Sequence, residues 1–551
     1  MVNLKLQSLL GSMQKRRKSE SNYPSFSVLP QGIVEMNQPR QADVASQRPY
    51  TFIYPLIRPY CHVQINEGNY IVTEPQLSDE EKKLFSKIKR ALMQILDVSP
   101  SAVKNEQALL KMLEEKFRQI LEDFSVQVTN DLYLKMMYYV YRDFMGLNEA
   151  EPLLRDPFIE DISCDGIGIN IYIVHRRFGH LRTNIIFEDE EKLKDMVVKL
   201  AEKCGRYISH AEPLMDGTLP DGTRVQATLA KDVTTRGPSF SIRKFPERPY
   251  TPLDIIEFNT ADEKMLAYLW QLVEGGANIL IIGATASGKT SMLNSIAFFV
   301  PPSAKIVSIE DTREVNVLHE NWLPAVVRTS FSGTTVGEVT MFELLKESFR
   351  QNPNYLIVGE VRGEEASVMF QAMASGMATM STMHAGSPDD ALKRLQLPPI
   401  SIPPSMIETL DAIILMTKAT EKDSNSRRIR SIAEVGKNGI INEVFSWDPV
   451  SDSFIMKGDS AVLKKIGAEK GISEGMVKES VEKKETILKS LRGSKMQWKE
   501  VAERISEHYA GRSAAKEGLK AAEQRAEEPA KTGEEQATSS NEDSGEKNEG
   551  T

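Results

Sequence analysis

"NILIIGATASGKTSM", residues 278–292, is a run of apolar residues that leads into a glycine-rich loop. It has the spacing of a phosphate-binding loop, Gly283-x-x-x-x-Gly288-Lys289-Thr290, between a predicted strand and a predicted helix. Glycines let backbone N–H groups converge on phosphates, and the helix offers its positive amino terminus. We expect Lys289 to reach the β- and γ-phosphates and the Thr290 hydroxyl to ligate Mg²⁺. The candidate nucleotide-binding residues are Gly283, Ala284, Thr285, Ala286, Ser287, Gly288, Lys289, Thr290 and Ser291.

Three later stretches place acidic residues and a histidine after short apolar runs. "KIVSIEDTREVN" carries Glu310 and Glu314, which could orient a water or bind a metal beside the loop, or form a solvated turn. "LIVGEVRGEEA" puts Glu360 where a P-loop ATPase has its Mg²⁺-binding acid, although Asp is usual there. "STMHAG" puts His384 after a strand of small residues. Taken alone, such a histidine is more often a packed or surface residue than a catalytic one.

The composition limits the classes of function. The chain has 551 residues, 41% of them hydrophobic, and a net charge of −9. This acidic balance argues against a protein that coats nucleic acid, and no basic stripe with interleaved aromatic residues is visible. Cys61, Cys164 and Cys204 form no CxxC pair, which leaves no zinc signature and suits a reducing cytoplasm. No apolar run approaches the roughly 18–20 residues that span a bilayer.

Changes of pattern along the chain predict several units. Short apolar strands alternate with helices in the second half, which favours a mostly parallel α/β sheet. These strands are predicted at 278–282, 305–309, 355–358, 378–382 and 412–416. The predicted units are a flexible N-terminus (1–50), an N-terminal extension module (51–150), an α/β N-domain (151–248), an ATPase domain (253–457), a helical C-terminal extension (458–510) and a disordered tail (511–551). "PERPYTP" at 246–252 is a natural hinge between the N-domain and the ATPase domain.

The amino-terminal stretch MVNLKLQSLLGSMQKRRK has leucines ahead of a basic cluster, which is the reverse of a secretory signal. Two interpretations stay open. It forms a short amphipathic helix that contacts a membrane or a partner, or it is a frayed terminus.

The four motif-bearing stretches, in this order, resemble the secretion ATPase superfamily that powers type II secretion, type IV pili and archaeal surface filaments. Its members carry a Walker A loop, an Asp box, an atypical Walker B motif ending in Gly-Glu, and a His box. Here these read GATASGKT, SIEDTRE, LIVGEVRGEEA and STMHAG. "RYISHAEPLMDGTLPDGTRVQAT" and "RGPSFSIRKF" are similar to the family's N-domain, and "SCDGIGINIYIVHRRFGHLRTNIIF" resembles its archaeal branch. With the N-terminal segment "YPLIRPYCHVQI…YIVTEP", the resemblance covers roughly residues 50–457.

The resemblance implies an α/β fold. It consists of a RecA-like P-loop ATPase domain, a smaller α/β (PAS-like) N-domain and a mixed α/β N-terminal extension. ATP and Mg²⁺ are the implied substrate and cofactor. Glu310 or Glu314 would polarise the attacking water, a choice that the sequence leaves open. Glu360 would support Mg²⁺ together with Thr290, and His384 would sense the γ-phosphate.

The resemblance also implies basic residues that neutralise phosphate charge when the N-domain closes over the site, within one subunit or from its neighbour. The candidates are Arg206, Arg224, Arg236 and Arg243. Arginine suits this task because it is permanently charged and its guanidinium group can form bidentate hydrogen bonds with phosphate oxygens. Without the resemblance, each would be read as a surface salt-bridge partner.

The implied machine is a homohexameric ring on the inner face of the cell membrane. It would act on a polytopic platform protein and, indirectly, on pilin-like or secreted subunits, with peripheral membrane contact and no nucleic acid. Pilus assembly, archaellum assembly and secretion all fit. Two rival classes are a DNA-transfer or helicase-like motor and a non-enzymatic nucleotide-binding regulator. The complete set of acids argues against the second.

One residue departs from the family pattern. The His box usually opens with Gly-His, whereas this chain has Gly376-Met377. A thioether cannot replace the hydrogen bonds of an imidazole. The sequence therefore predicts altered tuning of the ATPase rate if that position senses phosphate or contacts another subunit.

Overall fold

The computed structural model describes residues 23–28, 51–96, 106–245, 248–328, 337–421, 424–494 and 496–510, and its strands form two nine-stranded sheets. The first sheet contains β1 (Phe52–Ile57), β2 (Cys61–Asn66), β3 (Asn69–Thr73), β4 (Ile159–Cys164), β5 (Asn170–His175), β6 (Gly179–Ile186), β7 (Leu214–Thr218), β8 (Arg224–Thr228) and β9 (Ser239–Arg243). The second contains β10 (Ile279–Gly283), β11 (Ile306–Glu310), β12 (Trp322–Val326), β13 (Tyr355–Glu360), β14 (Ala378–Met383), β15 (Ala412–Glu421), β16 (Ser424–Val435), β17 (Ile441–Asp448) and β18 (Ser453–Met456).

Helices accompany both sheets. With the first sheet are α1 (Asp79–Ile95), α2 (Glu106–Asp123), α3 (Asn130–Val140), α4 (Glu151–Arg155) and α5 (Glu190–Lys203). With the second are α6 (Pro252–Glu257), α7 (Glu263–Gly275), α8 (Lys289–Ala297), α9 (Met341–Gln351), α10 (Glu365–Ala374), α11 (Pro388–Gln396), α12 (Pro404–Ile407), α13 (Ala461–Glu469) and α14 (Glu474–Leu491). A last helix, α15, spans 498–510.

The first sheet is mostly antiparallel, in the order β1-β2-β3-β6-β5-β4-β9-β8-β7. Burial alternates along β2 and β7, as it does where one face of a sheet packs and the other meets solvent. A parallel pairing of β3 with β6 links strands from the predicted extension module (51–150) and the predicted N-domain (151–248). The buried residues of both segments form one hydrophobic cluster. The division of the chain into these domains remains a prediction.

The second sheet has the order β12-β11-β13-β14-β10-β15-β16-β17-β18. Its strands from β12 to β15 are parallel, and β16 to β18 continue the sheet antiparallel. Every residue of β10, β11 and β14 is buried, because helices cover both faces of the parallel part. Since parallel strands end at the same edge, the loops after β10, β11, β13 and β14 lie together.

The five parallel strands predicted from the sequence are confirmed as β10, β11, β13, β14 and β15, with boundaries shifted by a few residues. The mixed α/β class is confirmed as well. Strand β12 has no sequence signal, because it is an edge strand with exposed apolar residues and no alternation. The PAS-like character of the N-domain stays a prediction.

The helical pattern predicted for the C-terminal extension is confirmed, and its helices pack on α7. Trp270 Nε1 of α7 donates to the Tyr509 hydroxyl at 2.9 Å, and that hydroxyl donates to the Phe299 carbonyl at 2.6 Å. Lys484 of α14 is completely buried, with its Nζ 2.7 Å from Glu274 Oε2. The extension thus shares a hydrophobic core with the second sheet.

Several predictions concern segments outside the described residues. Most of the predicted flexible N-terminus, the whole predicted disordered tail (511–551), and Pro246 and Glu247 of the predicted hinge lie there. Within the described ranges, no helix combines the length and the apolarity needed to cross a membrane.

Candidate functional site

The loop between β10 and α8 has a backbone that few side chains tolerate. Gly283 (φ 154°), Ala286 (φ 57°) and Gly288 (φ 93°) all have positive φ. A Cβ on Gly283 would lie 2.5 Å from Ser287 Oγ and 2.6 Å from the Met416 carbonyl oxygen, so only glycine fits. The loop therefore closes tightly over the end of β10 and directs its backbone to the amino terminus of α8.

Lys289 begins α8 and curls back over the loop. Its side chain is buried, and Nζ lies 3.4 Å from the Gly283 carbonyl oxygen and 3.2 Å from that of Ala284. Burial lowers its pKa, an effect that the negative charges of Glu360 and Glu314 partly offset. These contacts are at or beyond the long end of the hydrogen-bond range, so an anion in the loop would offer the ammonium a stronger acceptor.

His384 connects this lysine to the acid after β13. His384 Nδ1 lies 3.4 Å from Lys289 Nζ, and its Nε2 lies 2.8 Å from Glu360 Oε1. Arg362 donates to the other carboxylate oxygen of Glu360. Because β14 lies between β10 and β13, the carboxyl ends of the three strands bring these side chains together. The structure therefore brings Lys289, Glu360 and His384 together, while their chemical roles stay predictions.

The two glutamates after β11 have different surroundings. Glu310 is 2% exposed, and its Oε1 accepts the backbone N–H groups of Glu314 (2.9 Å) and Val315 (2.8 Å). Its Oε2 is buried without a hydrogen-bond partner in the described part of the chain. Burial raises the pKa of Glu310 to about 7, even though the two N–H groups lower it. Glu314 is only half-buried, and its charge acts on Lys289.

Of the four predicted arginines, two lie on strands of the first sheet and two lie in the segments that connect its elements. Arg224 and Arg243 are paired neighbours on β8 and β9. The positive charge of Arg243 is among the effects that lower the pKa of Lys289. Arg236 lies in the loop before β9, where its carbonyl accepts the Ile167 N–H. Arg206 follows α5, and its N–H donates to the Ala201 carbonyl.

Met377 lies at the end of β14 away from the site. It precedes β14, whereas His384 follows that strand. Seven residues of extended chain separate the two by about 20 Å. Met377 also packs against the hydrophobic cluster beneath the sheet. Position 377 is therefore out of reach of a phosphate held by Lys289 of the same subunit.

Sequence reasoning missed a basic residue beside the loop. The Cγ and Cδ atoms of Arg427 on β16 lie 3.7 Å from the point where a Cβ on Gly288 would stand. The run RRIR at 427–430 was its only signal, and nothing in that run relates it to a loop 139 residues earlier.

The chain is similar to proteins of secretion systems. The sequence profile of the family described as "Type II/IV secretion system protein" matches residues 150–538. An uncharacterized protein of Methanocaldococcus jannaschii is 36% identical over 473 residues, which cover 80% of this chain and 84% of that protein. Type IV secretion system protein PtlH of Bordetella pertussis is 30% identical over 275 residues, 44% of this chain and 80% of PtlH. Among solved structures, the ATPase DotB of Yersinia pseudotuberculosis aligns with 15% identity and a TM-score of 0.39, covering 65% of this chain and 91% of DotB.

Proposed function

The chain belongs to the type II/IV secretion system protein family, as its motifs predicted, and we propose that it is an ATP-hydrolysing motor for filament assembly or secretion. One observation carries the proposal. Lys289, His384, Glu360 and Glu314 converge at the carboxyl ends of four neighbouring strands, beside a phosphate-binding loop. A cation for phosphate, a polar group for the γ-phosphate and acids for metal and water are the parts that phosphoryl transfer requires.

The residues present fit ATP and Mg²⁺. Backbone N–H groups of the loop and the Lys289 ammonium would hold the phosphates, and the long contacts of Lys289 leave it able to do so. The Thr290 hydroxyl and the Glu360 carboxylate would hold Mg²⁺, directly or through water. The bound nucleotide supplies the phosphoryl group that is transferred to water. His384 would sense whether a γ-phosphate is present, and its contacts with Lys289 and Glu360 support this role.

We assign the two glutamates different tasks. Glu314 polarises the attacking water, because its carboxylate is accessible and close enough to act on Lys289. Glu310 positions Glu314, because its buried carboxylate accepts the backbone N–H groups of Glu314 and of Val315. A carboxylate held in this way fixes the loop that carries Glu314.

The mechanical part of the proposal is a hexameric ring that cycles between open and closed states. The 151–248 segment would close over the site by rotation near the 246–252 hinge, and the effect of the Arg243 charge on the pKa of Lys289 supports this direction of closure. Arg206, Arg224 and Arg236 would add positive charge from the same or a neighbouring subunit. Nucleotide binds the two states unequally, which converts hydrolysis into movement. The movement would act on a polytopic platform protein at the inner face of the membrane, with pilus, archaellum and secretion roles all compatible.

The test uses the purified full chain with ATP and Mg²⁺. We expect hydrolysis that rises when vesicles containing acidic phospholipid are added and does not change with single-stranded DNA. The mass of the nucleotide-bound particle, measured by light scattering, should equal six chains. Stimulation by DNA but not by vesicles would replace the proposal with a nucleic-acid motor, and nucleotide binding without turnover would replace it with a regulator.

A further inference from the structure

The phosphate loop has two flanks in the second sheet, because β10 lies between β14 and β15. On the β14 side, His384 contacts Lys289. On the other side, Met416 of β15 and Arg427 of β16 lie against the loop. The Met416 Cε and the Arg427 Cδ lie 3.8 Å and 3.7 Å from the point where a Cβ on Gly288 would stand. Arg427 therefore adjoins the loop on the flank opposite to the proposed γ-phosphate sensor.

The neighbouring arginine, Arg428, has a structural role on the same strand. Arg428 is 3% exposed and forms two 2.8 Å bonds to the carboxylate of Asp452, with a third to the Phe258 carbonyl oxygen. Successive residues of a strand point to opposite faces. Arg428 thus fixes β16 to the β17–β18 turn on one face, while Arg427 points to the face that carries the phosphate loop.

A second cation lies beside Arg427. Lys418 of β15 is its direct cross-strand partner, and Met416, two residues earlier on β15, faces the same side. Like charges directly opposite each other destabilise a strand pair. An anion that binds between them removes this repulsion and gains charge-assisted hydrogen bonds. The pair is half-buried at Arg427 and exposed at Lys418, so an anion in the loop can reach it from solvent.

We propose that Arg427, supported by Lys418, binds the α-phosphate side of the nucleotide. The proposal rests on the nucleotide-binding function argued above. Lys289 and His384 define the β/γ end of the loop, so the opposite flank faces the α-phosphate and the nucleoside. ATP and ADP share this part of the molecule. Each of the two residues, Arg427 and Lys418, therefore raises the affinity for ATP and the affinity for ADP by the same factor. Neither residue distinguishes the substrate from the product.

The experiment measures Kd for ATP, ADP and AMP by calorimetry, with full-length Arg427→Ala in a Glu314→Gln background that prevents turnover. We expect about tenfold weaker binding of ATP and of ADP by the same factor, as the loss of one charge-assisted hydrogen bond predicts. AMP binding should weaken as well. Lys418→Ala should weaken all three by a smaller factor. Arg430→Ala, a nearby exposed arginine, serves as the control and should leave every Kd unchanged.

Two outcomes overturn the inference. Unchanged Kd values in Arg427→Ala contradict it directly, and a loss restricted to ATP would place Arg427 at the γ-phosphate instead. Arg427→Gln keeps the alkyl chain against the loop and repeats the test if the alanine variant unfolds early in a thermal melt. Failure of the unsubstituted chain to bind any nucleotide would instead overturn the proposed function, and this inference with it.

Discussion

Asp156 and Glu310 are both carboxylates almost completely removed from water, at 0% and 2% exposure, but their surroundings differ. Asp156, between α4 and β4 of the first sheet, uses both oxygens. Its Oδ2 accepts the hydroxyls of Tyr54 (2.6 Å) and Tyr70 (2.5 Å), and its Oδ1 accepts the Phe158 N–H (2.8 Å). Glu310, at the end of β11, uses one oxygen for two backbone N–H groups and leaves the other without a partner among the described residues.

The difference separates a polar cluster that stabilises the fold from one that serves a reaction. A buried carboxylate with all its hydrogen bonds joins strands of the first sheet and has nothing left for a ligand. In the second sheet, by contrast, some polar groups form incomplete or long hydrogen bonds. One oxygen of the Glu310 carboxylate has no partner among the described residues, and the Lys289 ammonium forms only long contacts. We infer that incomplete hydrogen bonding at the carboxyl ends of parallel strands marks the place where nucleotide and water arrive.

The largest expected effect concerns Glu314, in the reacting cluster. Glu314→Gln should lower kcat for ATP hydrolysis about 1000-fold, because general-base assistance is typically worth about 10²–10⁴. The affinity for ATP and the melting temperature should stay close to those of the unsubstituted chain. Glu347→Gln, on the exposed surface of α9, is the control. An equal loss of kcat in Glu310→Gln, with none in Glu314→Gln, would reverse our assignment.

Asp156 should show the opposite behaviour. Asp156→Ala leaves the hydroxyls of Tyr54 and Tyr70 buried without their acceptor, so we expect the free energy of unfolding to fall by about 3–5 kcal/mol. Urea unfolding followed by circular dichroism measures this, with exposed Asp232→Ala as the control. Per folded molecule, kcat should not change. A large loss of kcat with unchanged stability would show that this cluster is not structural.

Glu310 should make stability depend on pH. Burial raises its pKa from 4.5 to about 7, so the folded state binds the proton more tightly than the unfolded state. This contribution is fully present below pH 4.5 and is lost as the pH rises to about 7. Relative to Glu310→Gln, which cannot ionise, the unsubstituted chain should lose at most about 3 kcal/mol over this interval. Urea midpoints of both proteins between pH 4.5 and pH 8 test this, and parallel pH profiles would contradict it.

The smallest expected effect distinguishes the two flanks of the phosphate loop. His384→Asn should weaken ATP binding about tenfold relative to ADP, because only ATP carries the γ-phosphate that His384 would contact. Calorimetric Kd values for both nucleotides provide the measurement, and exposed His180→Asn is the control. An equal loss for ATP and ADP would remove the functional contrast between His384 and Arg427.

The sequence predicted the second sheet better than the first for physical reasons. Parallel strands buried on both faces appear as continuous apolar runs, so β10 and the loop at Gly283–Thr290 were recognisable. The capping box of Ser78 and Glu81 at the start of α1 is equally local. The pairing of β3 with β6 was not predictable, because it joins residues more than 100 positions apart and no local pattern specifies it.

The candidate site was predictable in its parts but not in its internal arrangement. Glu310 and Glu314 are only four residues apart, so the sequence does not show which of them binds the backbone of the loop. In the structure it is Glu310, whose carboxylate accepts N–H groups of that loop. Arg427 carries no motif and reaches Gly288 through the strand order alone. Residue types at fixed spacing predict chemistry, whereas contacts between distant strands depend on topology.

The most direct test of the central claim is the rate of ATP hydrolysis by the full chain, its Lys289→Ala variant and Lys393→Ala, an exposed lysine of α11. We predict Mg²⁺-dependent turnover in the unsubstituted chain and in Lys393→Ala, and no measurable turnover in Lys289→Ala, whose thermal melt stays unchanged. Turnover that persists in Lys289→Ala, or that is absent from the folded unsubstituted chain, would contradict the account.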